Sequence, residues 1–429
     1  MFRMLKRKTK KRPDEEDAME LEGQAEQAPA KVGAASTTTT GGPPDEDEGQ
    51  DVGMEVAELK FMLECSDSLV PNKSDVESAL MERIQDHNMV VFYKLACDQG
   101  LLKLDSSLVK SMEKSNAKEL DALEDRKFDA EENHGEIEVM EAQLKLAKFR
   151  SLTGSLEEAL AAYDEVAGLK SMSTGQLIDV VLRKVILGFF WGDYSLAKTN
   201  LDEAERLMEK GGDWDRRNRL KVYRGLYSMA SRDFKKAAED FLSAVATFTS
   251  TELCTYETFI FYTVVTSVLA LGRVEFKKQI IDSPEVLSVV REVDSLQEFM
   301  NTLHDCDYRG FFVSLVKLNQ RLCTDRYIAQ HKDWFFREVR VKAYQQFLES
   351  YKSVTISSMA KSFGVSVGFL DTELSHFISS NRLNAKIDKV GGVIETSQPN
   401  ETNARYQSVI KQGDVLLNRV QLLSRAINV

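Results

Sequence analysis

Ser366 lies in Gly364-Val365-Ser366-Val367-Gly368, the G-x-S-x-G spacing of a hydrolase nucleophile elbow, and His376 follows ten residues later. In that chemistry the serine oxygen attacks an acyl carbon while a histidine takes its proton. The surrounding sequence does not support it. An elbow needs a strand before the serine, whereas "VTISSMAKSFG" has the periodicity of a short amphipathic helix, with Ile356, Met359, Ala360 and Phe363 on one side. His376 falls on the next expected helix, about 15 Å along its axis at 1.5 Å per residue, too far to serve as base. The five histidines, His87, His134, His304, His331 and His376, show no H-x-H or H-E-x-x-H spacing, and no phosphate-binding G-x-x-x-x-G-K-[ST] loop occurs. No enzyme reading survives, and the chain is expected to use no catalytic residue, metal or cofactor.

The same stretch makes sense as architecture. Gly364 ends the first helix, Ser366 is an N-cap, and Val367–Ser379 forms a second helix with Leu370, Leu374, Phe377 and Ile378 on one face. "NAKIDKV" and "VIET" then read as two short strands around Gly391-Gly392, which completes a winged-helix pattern over 351–396. In a DNA-reading module the outward positions of the second helix carry Arg, Lys, Asn or Gln. Here they are Asp371, Thr372, Ser375 and Ser379, with Glu373 beside them, and carboxylates repel phosphates. The hairpin is therefore expected to offer its edge to another protein chain through Lys386, Ile387, Asp388, Val393, Ile394 and Glu395, the alternative being a solvated edge. After a polar connector, Tyr406, Val409, Gly413, Leu416, Val420, Leu423 and Ile427 form a heptad seam widened by Ile410 and Leu417. Such a helix either folds back or enters a bundle with other chains, and the polar connector favours the bundle.

Upstream the chain repeats. Leu156, Tyr194, Phe234 and Val274 each open an expected helix, at spacings of 38, 40 and 40 residues. Ala159, Ala197 and Ala237 follow three places after the first three anchors, as close helix contact requires, whereas the fourth unit has Lys277 there and is degraded. Units of this kind stack into a TPR-like solenoid because one alone cannot bury its apolar face. The densest charge lies in "EKGGDWDRRNRLKVYRGLY", Glu209 to Tyr227. Gly211-Gly212 should end one helix, Asp213 cap the next, Asp215 pair with Arg219, and Trp214 pack at the helix start. Trp214, Arg216, Arg217 and Arg219 are also candidate contacts to a partner's carboxylates.

Composition agrees with a mainly helical globular protein. Of its 429 residues only seven are prolines, which leans toward helix, and a formal net charge of −12 argues against a general nucleic-acid binder. Five scattered cysteines read as reduced thiols. The longest apolar run, from Phe259, is too short for a bilayer and reads as a core helix, so no membrane is expected. Residues 1–50 pair a basic run, Lys6 to Arg12, with acidic and polar segments, and read as a disordered charged tail; the basic run matches a nuclear-import signal or is simply solvated. The expected order is helical repeats over 51–230, further helices over 231–350, the winged helix, and the connector with its last helix over 397–429: a mainly α chain.

"GGDWDRRNRLKVYRGLY", "RDFKKAAEDFLSAVATFTSTEL", "KIDKVGGVIET" and "GDVLLNRVQLLSRAIN" resemble the PCI-domain lid subunits of the 26S proteasome regulatory particle, the non-ATPase subunit 6 family among them. The resemblance runs from about Val56 to Val429. It implies a PCI fold and a non-catalytic part in ATP-dependent breakdown of ubiquitinated proteins, in the cytoplasm and nucleus. It also implies a hetero-oligomer in which winged helices associate side by side, C-terminal helices gather in a bundle, and helical arms reach the proteasomal ATPase ring. Those roles would fall on Lys386–Glu395 and Tyr406–Ile427. The COP9 signalosome and translation-initiation scaffolds share the generic PCI pattern, but the Trp214 motif favours the proteasome. The long charged tail departs from the family pattern.

Overall fold

The computed structural model describes residues 49–427 except Ser68, Ser171, Glu292, Asp294 and 397–400, and for 401–404 the backbone alone. The expected tail lies outside the described residues apart from Gly49 and Gln50. Gln50 is tied down: its amide donates to Glu58 (3.0 Å) and to the Leu253 carbonyl (3.3 Å).

Three short helices, α1 (Val52–Glu64), α2 (Lys73–Asp86) and α3 (Val90–Asp98), enclose a small core around Val56, Leu80, Ile84 and Tyr93. A long, largely solvated helix α4 (Ser106–Asn133) then turns back into α5 (Glu136–Thr153). The repeats follow as α6 (Leu156–Ala167), α7 (Thr174–Trp191), α8 (Tyr194–Gly211), α9 (Trp214–Ala230), α10 (Phe234–Ala244) and α11 (Tyr256–Ala270). Leu156, Tyr194 and Phe234 are the first residues of α6, α8 and α10, after caps at Ser155, Asp193 and Asp233 whose side chains accept backbone N–H groups. Ala159, Ala197 and Ala237 are fully buried, as the repeat spacing requires. The fit between α7 and α8 is tight: a Cβ on Gly188 would meet the Ala197 backbone at 3.0–3.1 Å. The fourth unit fails physically. Its anchor Val274 is 68% exposed, α12 (Arg273–Phe276) spans one turn, and Lys277 opens a π-helical turn to Ile281.

Helices α13 (Pro284–Val289), α14 (Leu296–His304), α15 (Tyr308–Thr324) and α16 (Lys332–Glu349) carry the chain to the winged helix. One apolar core extends from Ile178 to Ile394 without a break at 230/231: α9 and α10 pack together there, and Phe234 stacks on Trp334 of α16 (5.2 Å between ring centroids). The apolar run from Phe259 forms the centre of α11, buried on all sides from Phe259 to Val268, with Thr263 and Thr266 donating to carbonyls one turn back. No described helix is long and apolar enough to cross a membrane.

The winged helix comprises β1 (Ser353–Thr355), α17 (Ile356–Phe363), α18 (Val367–Ser379), β2 (Ala385–Asp388) and β3 (Val393–Thr396), followed by α19 (Glu401–Ile427). The sheet is antiparallel in the order β1-β3-β2, with Val354 and Ile387 both opposite Ile394. Strand β1 is absent from the hairpin reading: Val354, expected on the first helix, is a strand residue, and Thr355 caps α17 instead.

Candidate interaction surfaces

The serine motif is a pair of helix ends. Gly364 closes α17 in the left-handed conformation (φ 69°), where a side chain would be strained, and Ser366 Oγ accepts the Phe369 N–H at 3.3 Å. His376 is exposed in the last turn of α18, and its carbonyl accepts from Ser379 and Ser380. Leu370, Leu374 and Phe377 face the core as expected. Glu373 does not point outward. It is mostly buried, paired with Arg340 at 2.7 Å, and accepts the Tyr344 hydroxyl at 2.6 Å. Burial, then the adjacent Glu373 carboxylate, pushes the Tyr344 phenol well above its ordinary range. Glu373 therefore fastens the winged helix to α16, and only Asp371, paired with Lys389 at 3.3 Å, supplies a carboxylate on the outer side.

The sheet order divides the six wing residues. Lys386, Ile387 and Asp388 belong to β2, an outer strand with one open side. Val393, Ile394 and Glu395 belong to β3, which is paired on both sides, and Ile394 is fully buried. The expectation of open backbone across the whole hairpin is corrected: β3 spends its amides and carbonyls on β1 and β2, so within the hairpin the open edge is β2, while β1 is the outer strand on the opposite side of the sheet. Val390, at the hairpin turn, is fully exposed.

Every described side chain of α19 from Arg405 to Ile427 is exposed. Tyr406, Val409, Ile410, Leu416, Leu417, Val420, Leu423 and Ile427 are each 55–73% exposed, and Gly413 has open space where a Cβ would be. Val415 and Leu422 are exposed as well and lie outside the heptad seam, so apolar groups occupy more of the circumference than the seam alone.

The arginine cluster is organised differently from its reading. Arg216 grips Asp179 of α7 through Nε (3.0 Å) and Nη2 (2.7 Å) and also takes the carboxylate of Asp213, which consequently makes no cap hydrogen bond. Asp215 does not pair with Arg219 but accepts from Thr249 Oγ1 at 3.1 Å. Arg219 reaches Glu252 at 2.6 Å, where the Tyr223 hydroxyl also donates and Arg183 stands 3.9 Å away. Burial by itself would raise the Glu252 carboxyl, but the guanidinium charges of Arg219 and Arg183 and the bonds from Tyr223 and Arg219 outweigh it and hold Glu252 below its usual value. Trp214, expected to pack, is 65% exposed. Arg217 is exposed and makes no ion pair among the described residues. Glu252 and Asp179, the acids that organise the cluster, lie 33 and 37 residues from the arginines they hold, beyond any local spacing rule.

Known proteins share this arrangement of parts. A family model described as "26S proteasome subunit RPN7" matches residues 105–279, the PCI domain matches 311–398, and a model of the RPN7/PSMD6 C-terminal helix matches 405–427. The 26S proteasome non-ATPase regulatory subunit 6 homolog of Arabidopsis thaliana is 46% identical, over 87% of this chain and 96% of its own. The subunit 6 of Oryza sativa subsp. japonica is 44% identical over the same shares. The chain belongs to the 26S proteasome subunit 6 (RPN7) family. COP9 signalosome complex subunit 1 of Arabidopsis thaliana is more distant, 23% identical over 56% of this chain and 55% of its own. The residues that stand out physically coincide with the family's parts: the wing closes the PCI match, and the exposed helix α19 has a family description of its own. A subunit of this family works within a hetero-oligomeric proteasomal complex.

Proposed function

We propose that the chain is a non-catalytic scaffold of the proteasome regulatory-particle lid, supporting ATP-dependent degradation of ubiquitinated proteins. The observation that carries this reading is α19: a helix of 27 residues with large apolar side chains around it and no cover from the described residues. Burying each such side chain contributes about 1.5–3 kcal/mol, so a bundle with helices of sister subunits is the stable destination. The open side of β2, with Lys386, Ile387 and Asp388, pairs with a neighbouring PCI subunit, and β3 supports that edge from within. The N-terminal helical repeats form the arm that reaches toward the ATPase ring. The working compartments are the cytoplasm and nucleus.

Deleting residues 405–429 and recovering the chain by native pull-down, with identification of the associated proteins, tests this reading. The truncated chain is expected to stay folded, by circular dichroism and thermal melting, and to lose the other lid subunits. Loss of its own fold, or undiminished recovery of the lid, would overturn the bundle. Recovery of the intact chain with COP9 signalosome subunits and without proteasomal ATPases would overturn the assignment to the lid.

A further inference from the structure

The fold brings two of the five cysteines together: the Cys65 thiol lies on the backbone of Cys323, whose own Sγ donates to Asn319 Oδ1 at 3.3 Å. Cys65 caps the C-terminus of α1, and Cys323 lies in the last turn of α15, 258 residues further on. Cys65 Sγ donates to the backbone carbonyl of Cys323 at 3.6 Å, so its thiol rests on the residue that carries the second thiol. Lys332, the first residue of α16, donates through Nζ to Cys323 Sγ at 3.5 Å, and its charge also acts on Cys65. Cys65 is half-buried and Cys323 is buried, so a reagent in solution meets Cys65 first. Between the same two segments runs a cleft of about 500 Å³, walled by Glu58 and Met62 of α1 and by Arg321 and Thr324 of α15.

We propose that Cys65 and Cys323 form a reversible oxidation site, which a small disulfide of the oxidised-glutathione class converts into an intramolecular disulfide tying the end of α1 to the end of α15. The Cys65 thiolate attacks one sulfur of the reagent, whose S–S bond breaks to release one glutathione thiolate and leave a mixed disulfide on Cys65. The Cys323 thiolate then attacks the Cys65 sulfur and expels the second glutathione. Two protein thiols are oxidised, one glutathione disulfide is reduced to two thiols, and the two protons pass to the departing thiolates. In a reducing compartment such a bond is transient and returns to thiols by the reverse exchange, as befits a redox-responsive contact rather than a structural staple. Burial, the largest influence on Cys65, and then the neighbouring Cys323 push the Cys65 thiol up. The first step is therefore slow at neutral pH and accelerates about tenfold per pH unit while the thiol remains largely protonated.

The test incubates the full chain with oxidised glutathione at pH 7, 8 and 9, blocks remaining thiols by alkylation, and maps unreduced tryptic peptides by mass spectrometry. The expected product is a peptide pair joined through Cys65 and Cys323, faster to form at each higher pH, reversed by dithiothreitol, with Cys97, Cys254 and Cys306 alkylated. Cys65→Ser and Cys323→Ser abolish the linked pair and Cys97→Ser leaves it, each variant being checked for native circular dichroism. Because Cys323→Ser removes only the second thiol, it should accumulate the glutathione adduct on Cys65. Accumulation of that adduct in the unsubstituted chain without closure, linkage of Cys65 to a different cysteine, or full alkylation of both residues would overturn the proposal.

Discussion

Helix α19 carries Tyr406, Leu416, Leu423 and Ile427 into solvent, whereas Arg216 and Arg219 of α9 are turned inward onto Asp179 and Glu252. From the sequence both regions were candidates for contact with a partner, one through apolar groups and one through charge. The difference lies in how far each kind of group can find its match within one chain. A guanidinium needs one or two carboxylates, and a fold that packs α7, α9 and the loop before α11 together supplies them from distant sequence. A long helix with apolar groups around its circumference needs a surface of comparable length on more than one side, and α19 has none along its described residues.

The largest effect is expected where that need is unmet. Leu416→Asp combined with Leu423→Asp should change the stability of the isolated chain by less than about 0.5 kcal/mol, because both side chains are exposed there. The same pair should weaken lid assembly by more than about 100-fold, since two leucines of about 1.5–3 kcal/mol each are lost and two charges must be buried. Denaturant titration and quantitative pull-down separate the two; a large loss of stability would show that α19 packs internally.

The reverse pattern is expected at Glu252. Glu252→Ala leaves Arg183 and Arg219 without their shared carboxylate and should cost about 3 kcal/mol in chemical denaturation, as removal of one member of a buried ionic network does. Its pH dependence has a definite sign. The folded carboxyl is held below the unfolded value of 4.5, so its contribution is complete above that value and is lost as pH falls through the lower folded one. The acid limb of the stability curve should therefore be shallower in Glu252→Gln. An unchanged limb would mean that the network does not act on Glu252 in solution.

The contrast also explains what could be read from residues alone. Helix boundaries at Leu156, Tyr194 and Phe234, and the span Val367–Ser379, follow from caps and periodicity, which are local. Ser366 as a cap was legible for the same reason. Strand β1 was not: three residues that continue directly into a helix carry no alternation, and pairing with β3 across 40 residues decides their state. The inward turn of Glu373 depends on Arg340 and Tyr344 of a helix that spacing on α18 does not reveal. The assignment of β3 to the middle of the sheet depends in turn on β1, so the wing's open side could not be placed from the hairpin by itself.

A smaller effect belongs to the cap. Ser366→Ala removes the acceptor for the Phe369 N–H and should cost about 1 kcal/mol of stability, recovered in large part by Ser366→Asp, which restores an acceptor. A melting series distinguishes this from a chemical role, because Asp keeps the cap and has no hydroxyl to acylate. Reaction of Ser366 with an active-serine probe would contradict the cap assignment.

The smallest effect sharpens the comparison most. Trp214 and Arg217 are the two members of the arginine cluster that the fold does not use: the indole is 65% exposed and Arg217 makes no ion pair among the described residues. Trp214→Ala and Arg217→Ala should each change stability by less than about 0.5 kcal/mol, in contrast to Glu252→Ala a few residues away in space. If the cluster divides into an inner half that holds the fold and an outer half that meets a neighbour, Trp214→Ala should weaken assembly by about tenfold, as loss of an aromatic anchor at an interface does. Undiminished assembly would make Trp214 and Arg217 solvated surface, and α19 with the β2 edge would then carry the contacts with other subunits.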